Sequence, residues 1–273
     1  MTNLIQWAVP LLFVLFLWWF SSGLIMMLYG RSQRTIRWGF GAATVLAILS
    51  IGGLMATRHS QDPFSVYLAF ACGTVLWGWL IASYYLGFIT GPIPSLSAND
   101  PKVQRWSQLR GWSRFFTALR TCLYHEVASL AVILLVAVLT WSYPNRWGLW
   151  TLLSLWIMHS SGKLNVFLGV RNFHVEFLPS DLRYLGALLV RRNINWLFPF
   201  SVLGASSVAL YFFYQVLAAG PAAEDAIGFF LVGLMISLGV LEHWLLVLPL
   251  PVALWGWGVR TLPEPQTVEA EIS

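Results

Sequence analysis

Charged residues are scarce in this chain, and their scarcity excludes most classes of protein. Only 10% of its 273 residues are charged, whereas 58% are hydrophobic, and the mean hydropathy is +0.70. A soluble domain carries about 25% charged residues. A soluble globular enzyme and a disordered chain are therefore excluded, and a polytopic membrane protein remains.

Cysteine is almost absent as well. The chain has two cysteines, and we expect Cys72 near the middle of the membrane and Cys122 near one face. A disulfide needs Cα atoms within about 7 Å of each other, so we expect none. The chain also lacks a P-loop, a GxGxxG loop, an HExxH helix and a CxxC pair, and therefore carries no familiar soluble cofactor or catalytic signature.

Long hydrophobic runs are what the sequence has in place of these motifs. About 20 apolar residues cross the hydrocarbon layer of a bilayer. The first run has no basic leader and is too long for the core of a signal peptide, so we expect it to be retained. The sequence predicts an all-α membrane bundle with one domain over residues 1–258 and a short acidic cytoplasmic tail over residues 259–273. The seven predicted spans are residues 4–29, 36–56, 63–90, 122–141, 147–168, 194–218 and 226–247.

The basic residues indicate how this bundle is oriented. All but two of the 16 Lys and Arg residues fall on one side of the predicted topology, and the exceptions are Arg58 and Arg146. Basic loops stay in the cytoplasm, which predicts a periplasmic N-terminus and a cytoplasmic C-terminus in the bacterial inner membrane. The basic cytoplasmic loops therefore account for the net charge of +5. Since the charge needs no nucleic acid to explain it, we expect no nucleic-acid partner.

Two cytoplasmic segments show helical spacing of apolar residues with basic residues between them. Residues 101–120 predict one interfacial helix, and residues 180–192 predict a second with Ser180 or Asp181 as its N-cap. Such helices either anchor a connecting loop or present a surface to anionic lipid or a partner protein.

Polar and ionisable residues concentrate in three of the predicted spans. Because charges inside a membrane are costly, they are functional candidates by default. At 1.5 Å per residue they all fall in the cytoplasmic third of the bundle, so we expect them to face one another, with Lys163 as the counter-ion of Glu126 or Glu242. The candidate cluster is His125, Glu126, His159, Lys163, Asn165, Glu242 and His243.

Several interpretations of this cluster stay open. It could be a structural network that fixes helix packing, or a ligand site in which a neutral imidazole binds the metal of a chlorophyll-type ring or a haem. It could also be a transition-metal site, with His125, His159, Glu242 and His243 as ligands, or a proton relay. Tryptophans within the spans, including Trp18 and Trp77, either pack helices or stack on a pigment or quinone.

Several unusual strings resemble one known family across nearly the whole chain. They are SGKLNVFLGV at residues 161–170, EFLP at 176–179, NWLFP at 195–199, HE at 125–126, LEHW at 241–244, LPLP at 248–251, WWFS at 18–21 and GFITGP at 87–92. In these strings the chain resembles the photosynthetic complex assembly protein 2 (PuhE) family. His174 departs from the family's pattern and is therefore not among the candidate residues.

The resemblance implies a non-enzymatic membrane assembly factor for the photosynthetic reaction centre and core light-harvesting complex, which modulates bacteriochlorophyll production. It implies membrane lipid and reaction-centre or light-harvesting polypeptides, or their pigment, as partners. The sequence leaves the cofactor open: the candidate cluster could take bacteriochlorophyll or another tetrapyrrole, or a transition metal. The alternative is a membrane-embedded metal- or tetrapyrrole-dependent enzyme that acts on an apolar substrate through the His/Glu cluster.

The predicted topology can be tested with reporter fusions. We expect a cytoplasmic signal for fusions at Arg34, at Gln108 and after Arg260, because these positions lie among the basic loops. We expect a periplasmic signal near Asp62, Asn145 and Glu224. A cytoplasmic signal near Glu224 would contradict a bundle of seven spans.

Overall fold

The computed structural model describes residues 2–91, 96, 100–173, 178, 180–220 and 224–249. Apart from one isolated β-bridge between Val170 and Arg191, the regular structure of these residues is helical. The α-helices are α1 (Thr2–Met27), α2 (Gln33–Thr57), α3 (Pro63–Tyr85), α4 (Pro101–Gln108), α5 (Gly111–Thr121), α6 (Leu123–Thr140), α7 (Trp147–Leu168), α8 (Leu197–Ala219) and α9 (Ala226–Leu245). A 3-10 helix covers Ser180–Leu188.

Six of these helices are long and apolar enough to cross a membrane, namely α1, α2, α3, α6, α8 and α9. The predicted all-helical, multi-pass membrane bundle is therefore confirmed. The remaining predicted span coincides with α7, whose 22 residues extend about 33 Å at 1.5 Å per residue. Because α7 carries His159, Lys163 and neighbouring serines, it is less apolar than the other six, and its crossing of the membrane stays a prediction.

Three helices form the centre of the bundle. α3 packs against α1, α2, α6, α7 and α9, and α9 packs against α1, α3, α7 and α8. Small residues allow the close approaches: a Cβ atom added at Gly73 of α3 would meet the carbonyl oxygen of Gly148 in α7. Likewise, Gly239 of α9 faces the side chain of Met158. The polar helix α7 is thus held between α3 and α9.

Helix starts follow local side-chain chemistry. The Asp62 carboxylate accepts a hydrogen bond from the backbone N–H of Ser65 at 3.1 Å, and Pro63 occupies the first helical position of α3. Hydrogen bonds from the Ser60 and Ser65 hydroxyls lower the pKa of Asp62 to about 2. Asp100 and Pro101 begin α4 in the same way. An N-cap acceptor followed by proline is a strong start signal for a helix.

The interfacial segments differ from the sequence prediction. Residues 101–120 form two helices, α4 and α5, because Leu109 and Arg110 are extended and Gly111 has a positive φ of 53°. Both helices pack against the 3-10 helix. The predicted helix over residues 180–192 ends at Leu188, and Arg192 instead donates its backbone N–H to the Val170 carbonyl at 3.1 Å. The proposed N-cap side chains, Ser180 and Asp181, lie outside the described part of the chain.

Two further expectations concern the cysteines and the C-terminus. Cys72 and Cys122 are both buried, and neither is joined to the other by a disulfide. α9 ends at Leu245, before Pro249, as expected for a residue that cannot continue a helix. The predicted acidic tail over residues 259–273 lies outside the described residues.

One buried asparagine ties together the loops at the end of the bundle opposite the candidate cluster. Asn145, only 2% exposed, donates through its side-chain amide to the carbonyls of Thr57 at 3.2 Å and Ser65 at 3.1 Å. Its side-chain oxygen accepts the backbone N–H of Trp147 at 3.3 Å. This one residue therefore fixes the end of α2, the start of α3 and the start of α7.

Replacing Asn145 by alanine should destabilise the bundle. The change removes three buried hydrogen bonds and leaves the Trp147 N–H without its acceptor, for an expected loss of roughly 2 kcal/mol of unfolding free energy. The measurement is the unfolding midpoint in detergent, with the exposed Asn193→Ala as control. Equal midpoints for the two variants would contradict this role.

Candidate functional site

The C-terminal half of α7 organises the candidate site. Glu126 at the start of α6 accepts a hydrogen bond from Lys163 and forms an ion pair with it. Its second carboxylate oxygen accepts from the Trp156 indole at 3.0 Å and the Ser160 hydroxyl at 3.3 Å. The Lys163 and Glu126 side chains are only 11% and 20% exposed. Of the two predicted counter-ions for Lys163, the structure thus selects Glu126.

His243 of α9 joins α9 to α7. Its Nδ1–H donates to the Gly239 carbonyl at 2.8 Å, and its Nε2 lies 2.9 Å from the Ser161 hydroxyl, from which a neutral ring accepts. The ring is 2% exposed. Because both ring nitrogens have protein partners, His243 serves here as a contact between helices, and neither nitrogen is free for a metal.

Asn165 plays a similar part between α7 and α8. Its amide donates to the Ser161 carbonyl at 3.0 Å and to the Ser201 hydroxyl at 2.9 Å. The backbone carbonyl of Asn165 accepts a hydrogen bond from the buried Asn195 side chain at 3.1 Å, whereas the Asn165 Oδ1 has no partner among the described residues. Asn195 was missed as a candidate, although its NWLFP string stands out in the sequence.

The two other histidines of the candidate cluster have no hydrogen-bond partner among the described residues. Both ring nitrogens of His125 are buried there without a hydrogen bond. The His125 ring centroid lies 5.9 Å from those of His159 and Trp77 and 5.2 Å from that of Tyr84. His159 lies 5.3 Å from Trp77, and the described residues give its ring nitrogens no hydrogen-bond partner. A buried imidazole left unpaired costs about 1–3 kcal/mol.

His159 faces a cavity with two lobes. The first lobe has a volume of about 230 Å³ and is lined by Lys163, His243, Tyr84 and apolar residues of α5, α7 and the 3-10 helix. The second, of about 420 Å³, extends towards α1 and is lined by residues that include Trp18 and Trp77. Six residues line both lobes: Tyr85, Met158, His159, Phe173, Leu178 and Glu242.

Glu242 lies at the rim of this cavity. Its side chain is exposed at the bundle surface, and its carboxylate accepts a hydrogen bond from the Trp18 indole N–H at 2.6 Å. Glu242 therefore pairs with α1 and not with Lys163. This contact joins α1 to α9 where the second lobe opens.

The cavity offers a ligand the imidazole of His159, and aromatic side chains such as Trp77 and Tyr85 line it. Among the described residues, no group of three or more His, Cys, Asp or Glu side chains could hold a metal ion. A metal held by His125, His159, Glu242 and His243 together is therefore not supported. A tetrapyrrole would fit these residues better than a bare metal ion would, because it carries its own metal and His159 alone could ligate that metal. His174 and Glu176 lie outside the described residues.

The sequence also left some cavity residues unrecognised. Tyr84 and Tyr85 are the last two residues of α3, and both line the first lobe. Their position at the predicted cytoplasmic end of a span, at the same depth as the histidines, could have identified them from the sequence. Apolar lining residues such as Leu182 and Leu188 come from the 3-10 helix, and nothing in their local pattern points to a cavity.

The chain belongs to the family described as a protein of unknown function, DUF3623, whose model matches residues 4–266. It is also 33% identical, over 97% of its length and 95% of the relative's, to a Rhodobacter capsulatus protein described as "Uncharacterized 30.4 kDa protein in puhA 5'region". No solved structure matches the chain.

The ion pair at the site can be tested by a double-mutant cycle. Lys163→Met leaves the Glu126 carboxylate without its cation, and we expect a loss of about 2–3 kcal/mol of unfolding free energy. Adding Glu126→Gln should recover most of the loss, because no uncompensated charge then remains inside the bundle. Unfolding in mixed micelles provides the measurement, with the exposed Lys102→Met as control. Strictly additive losses would show that the two groups are not coupled.

Proposed function

We propose that the chain is an integral membrane assembly factor for the bacterial photosynthetic reaction centre and core light-harvesting complex, and that it modulates bacteriochlorophyll production. The Rhodobacter capsulatus relative lies in the puhA region, part of the photosynthesis gene cluster. The relative and this chain align over nearly their whole lengths, which supports a shared role. The six apolar helices agree with a protein that works in the membrane where these complexes are built.

The proposed setting is the bacterial inner membrane, with seven spans, a periplasmic N-terminus and a cytoplasmic C-terminus. α7 is the seventh span, because it packs between α3 and α9 and its Lys163, Ser161 and Asn165 side chains are hydrogen-bonded within the bundle. In this orientation Asn145 and Arg58, which are hydrogen-bonded through their backbones, lie at the periplasmic end. The cavity then lies in the cytoplasmic third of the membrane.

The observation that carries the proposal is the imidazole of His159, which faces an aromatic cavity and has no hydrogen-bond partner among the described residues. His159 would hold the metal of a bacteriochlorophyll or other tetrapyrrole through a ring nitrogen. Trp77 and Tyr85 would flank the ring and exclude water, as aromatic side chains do in ligand sites.

The remaining polar groups of the cavity hold its walls in place. Lys163 is neutralised by Glu126, and His243 is bonded to Ser161 and Gly239. Glu242 and Trp18 hold α1 against α9 at the rim. Because the rim lies at the bundle surface, pigment or an apolar segment of a reaction-centre or light-harvesting polypeptide would reach the cavity from the lipid, not from water.

The alternative function is a membrane-embedded enzyme that uses a metal or tetrapyrrole on an apolar substrate. A three-ligand metal centre has no support among the described residues. An enzyme would then depend on a bound tetrapyrrole at His159. Lys163 and His243 are paired, and the unpaired His125, 5.9 Å from His159, lines neither lobe of the cavity. The histidines of the described residues therefore offer the cavity a single unpaired imidazole, and this favours a binding role over a catalytic one.

The proposal predicts that His159→Gln abolishes pigment binding but leaves the protein folded. Glutamine is close in size but a poor axial ligand, so we expect normal protein abundance, loss of most co-purified pigment and reduced reaction-centre assembly. His59→Gln provides the control, because His59 is an exposed histidine at the opposite end of the bundle.

Absorption spectra of protein purified in mild detergent measure the bound pigment, and near-infrared spectra of whole membranes measure assembly. Normal pigment and normal assembly in His159→Gln would contradict the role of His159. A normal reaction centre in cells that lack the whole protein would contradict the assembly function itself.

A further inference from the structure

A buried arginine lies beside the cavity at the cytoplasmic end of α7. Arg114 of α5 is only 9% exposed. Its guanidinium donates to the Phe167 carbonyl at 3.4 Å, and its buried Nε has no hydrogen-bond partner among the described residues. One carbonyl satisfies a single donor of the five in a guanidinium group. Within the described part of the chain, the positive charge of Arg114 therefore has no anion beside it.

Two more arginines, Arg110 and Arg192, lie close enough to Arg114 for their charges to act on it. Arg110 lies one turn before Arg114, whose backbone N–H lies 3.5 Å from the Arg110 carbonyl. The Arg192 side chain packs over Gly169, whose φ of 112° and lack of a Cβ make room for it. Among the described residues, none of the three forms an ion pair with a carboxylate. Burial lowers the pKa of Arg114, and the charges of Arg192 and Arg110 lower it further.

Exposed aromatic residues place these arginines at the depth of lipid headgroups. Trp112 lies between Arg110 and Arg114 and is 63% exposed, and Trp196 follows Arg192 by four residues and is 61% exposed. Tryptophan collects at the boundary between headgroups and acyl chains. The arginines therefore lie where lipid phosphates are concentrated.

We propose that Arg110, Arg114 and Arg192 form a binding site for the phosphate group of an anionic membrane lipid. Guanidinium groups match phosphate oxygens with paired N–H donors. A bound phosphate would partner the Arg114 Nε and offset the repulsion among three cations. It would also brace the end of α7, where Phe167 lines the cavity. The site is separate from His159 and does not depend on the assembly role.

The test uses the full-length protein in detergent and two exposed positions, because Arg114 itself helps to fix the fold. The Arg110→Gln/Arg192→Gln variant should bind phosphatidylglycerol at least about tenfold more weakly than the native chain, since two charge-assisted contacts are lost. The matched control is Arg34→Gln/Arg37→Gln, which removes the same charge from the start of α2. We expect its affinity to fall less than about twofold.

Native mass spectrometry with phosphatidylglycerol, phosphatidylcholine and inorganic phosphate measures the binding. Selective retention of phosphatidylglycerol, with no competition by inorganic phosphate at matched concentration, supports the lipid site. Equal losses in the two double variants would overturn the proposal, because attraction would then come from the general charge of this face. Displacement of the lipid by inorganic phosphate would identify free phosphate as the ligand and overturn the lipid assignment.

Discussion

The constraint on which this structure depends is that an ionised group inside an apolar bundle needs a partner at close range. Lys163 lies in the C-terminal half of α7, and Glu126 is the carboxylate that pairs with it. Trp156 and Ser160 complete the hydrogen bonding of Glu126. Because this pairing fixes α6 against α7, it also places His125 beside His159. The cavity follows from the same arrangement, since its walls are the helices that shield these groups.

The other polar contacts divide into two sets at opposite ends of α7. Asn145 holds the start of the helix through backbone carbonyls of α2 and α3. At the C-terminal end of α7, the Asn195 side chain donates to the backbone carbonyls of Asn165 and Gly169 at 3.1 and 3.0 Å. An amide can donate and accept at once, so a single buried asparagine joins segments that side-chain packing alone would leave free to slide.

The sequence predicted the bundle well and the site less well, and the reasons are physical. Span positions depend on hydrophobic length, which is a local property, and the predicted bounds fall within a few residues of the seven long helices. The split of residues 101–120 depends on the extended backbone at Leu109, which the apolar spacing cannot reveal. The partner of Lys163 could not be chosen between Glu126 and Glu242, because depth along a helix does not specify the direction in which a side chain points.

The division between satisfied and unsatisfied polar groups separates structural from functional candidates. His243, Asn165 and Lys163 have protein partners, and each connects α7 to a neighbouring helix. Among the described residues, His159 and Arg114 have unused hydrogen-bonding capacity, and His159 also lines both lobes of the cavity. Other buried atoms without a hydrogen bond there, including both ring nitrogens of His125 and the Oδ1 of Asn165, line neither lobe. An unpaired buried polar group gives a bundle no stability. The two groups that we propose as ligand-binding groups are therefore distinguished from the other unpaired atoms by a position that a ligand can reach.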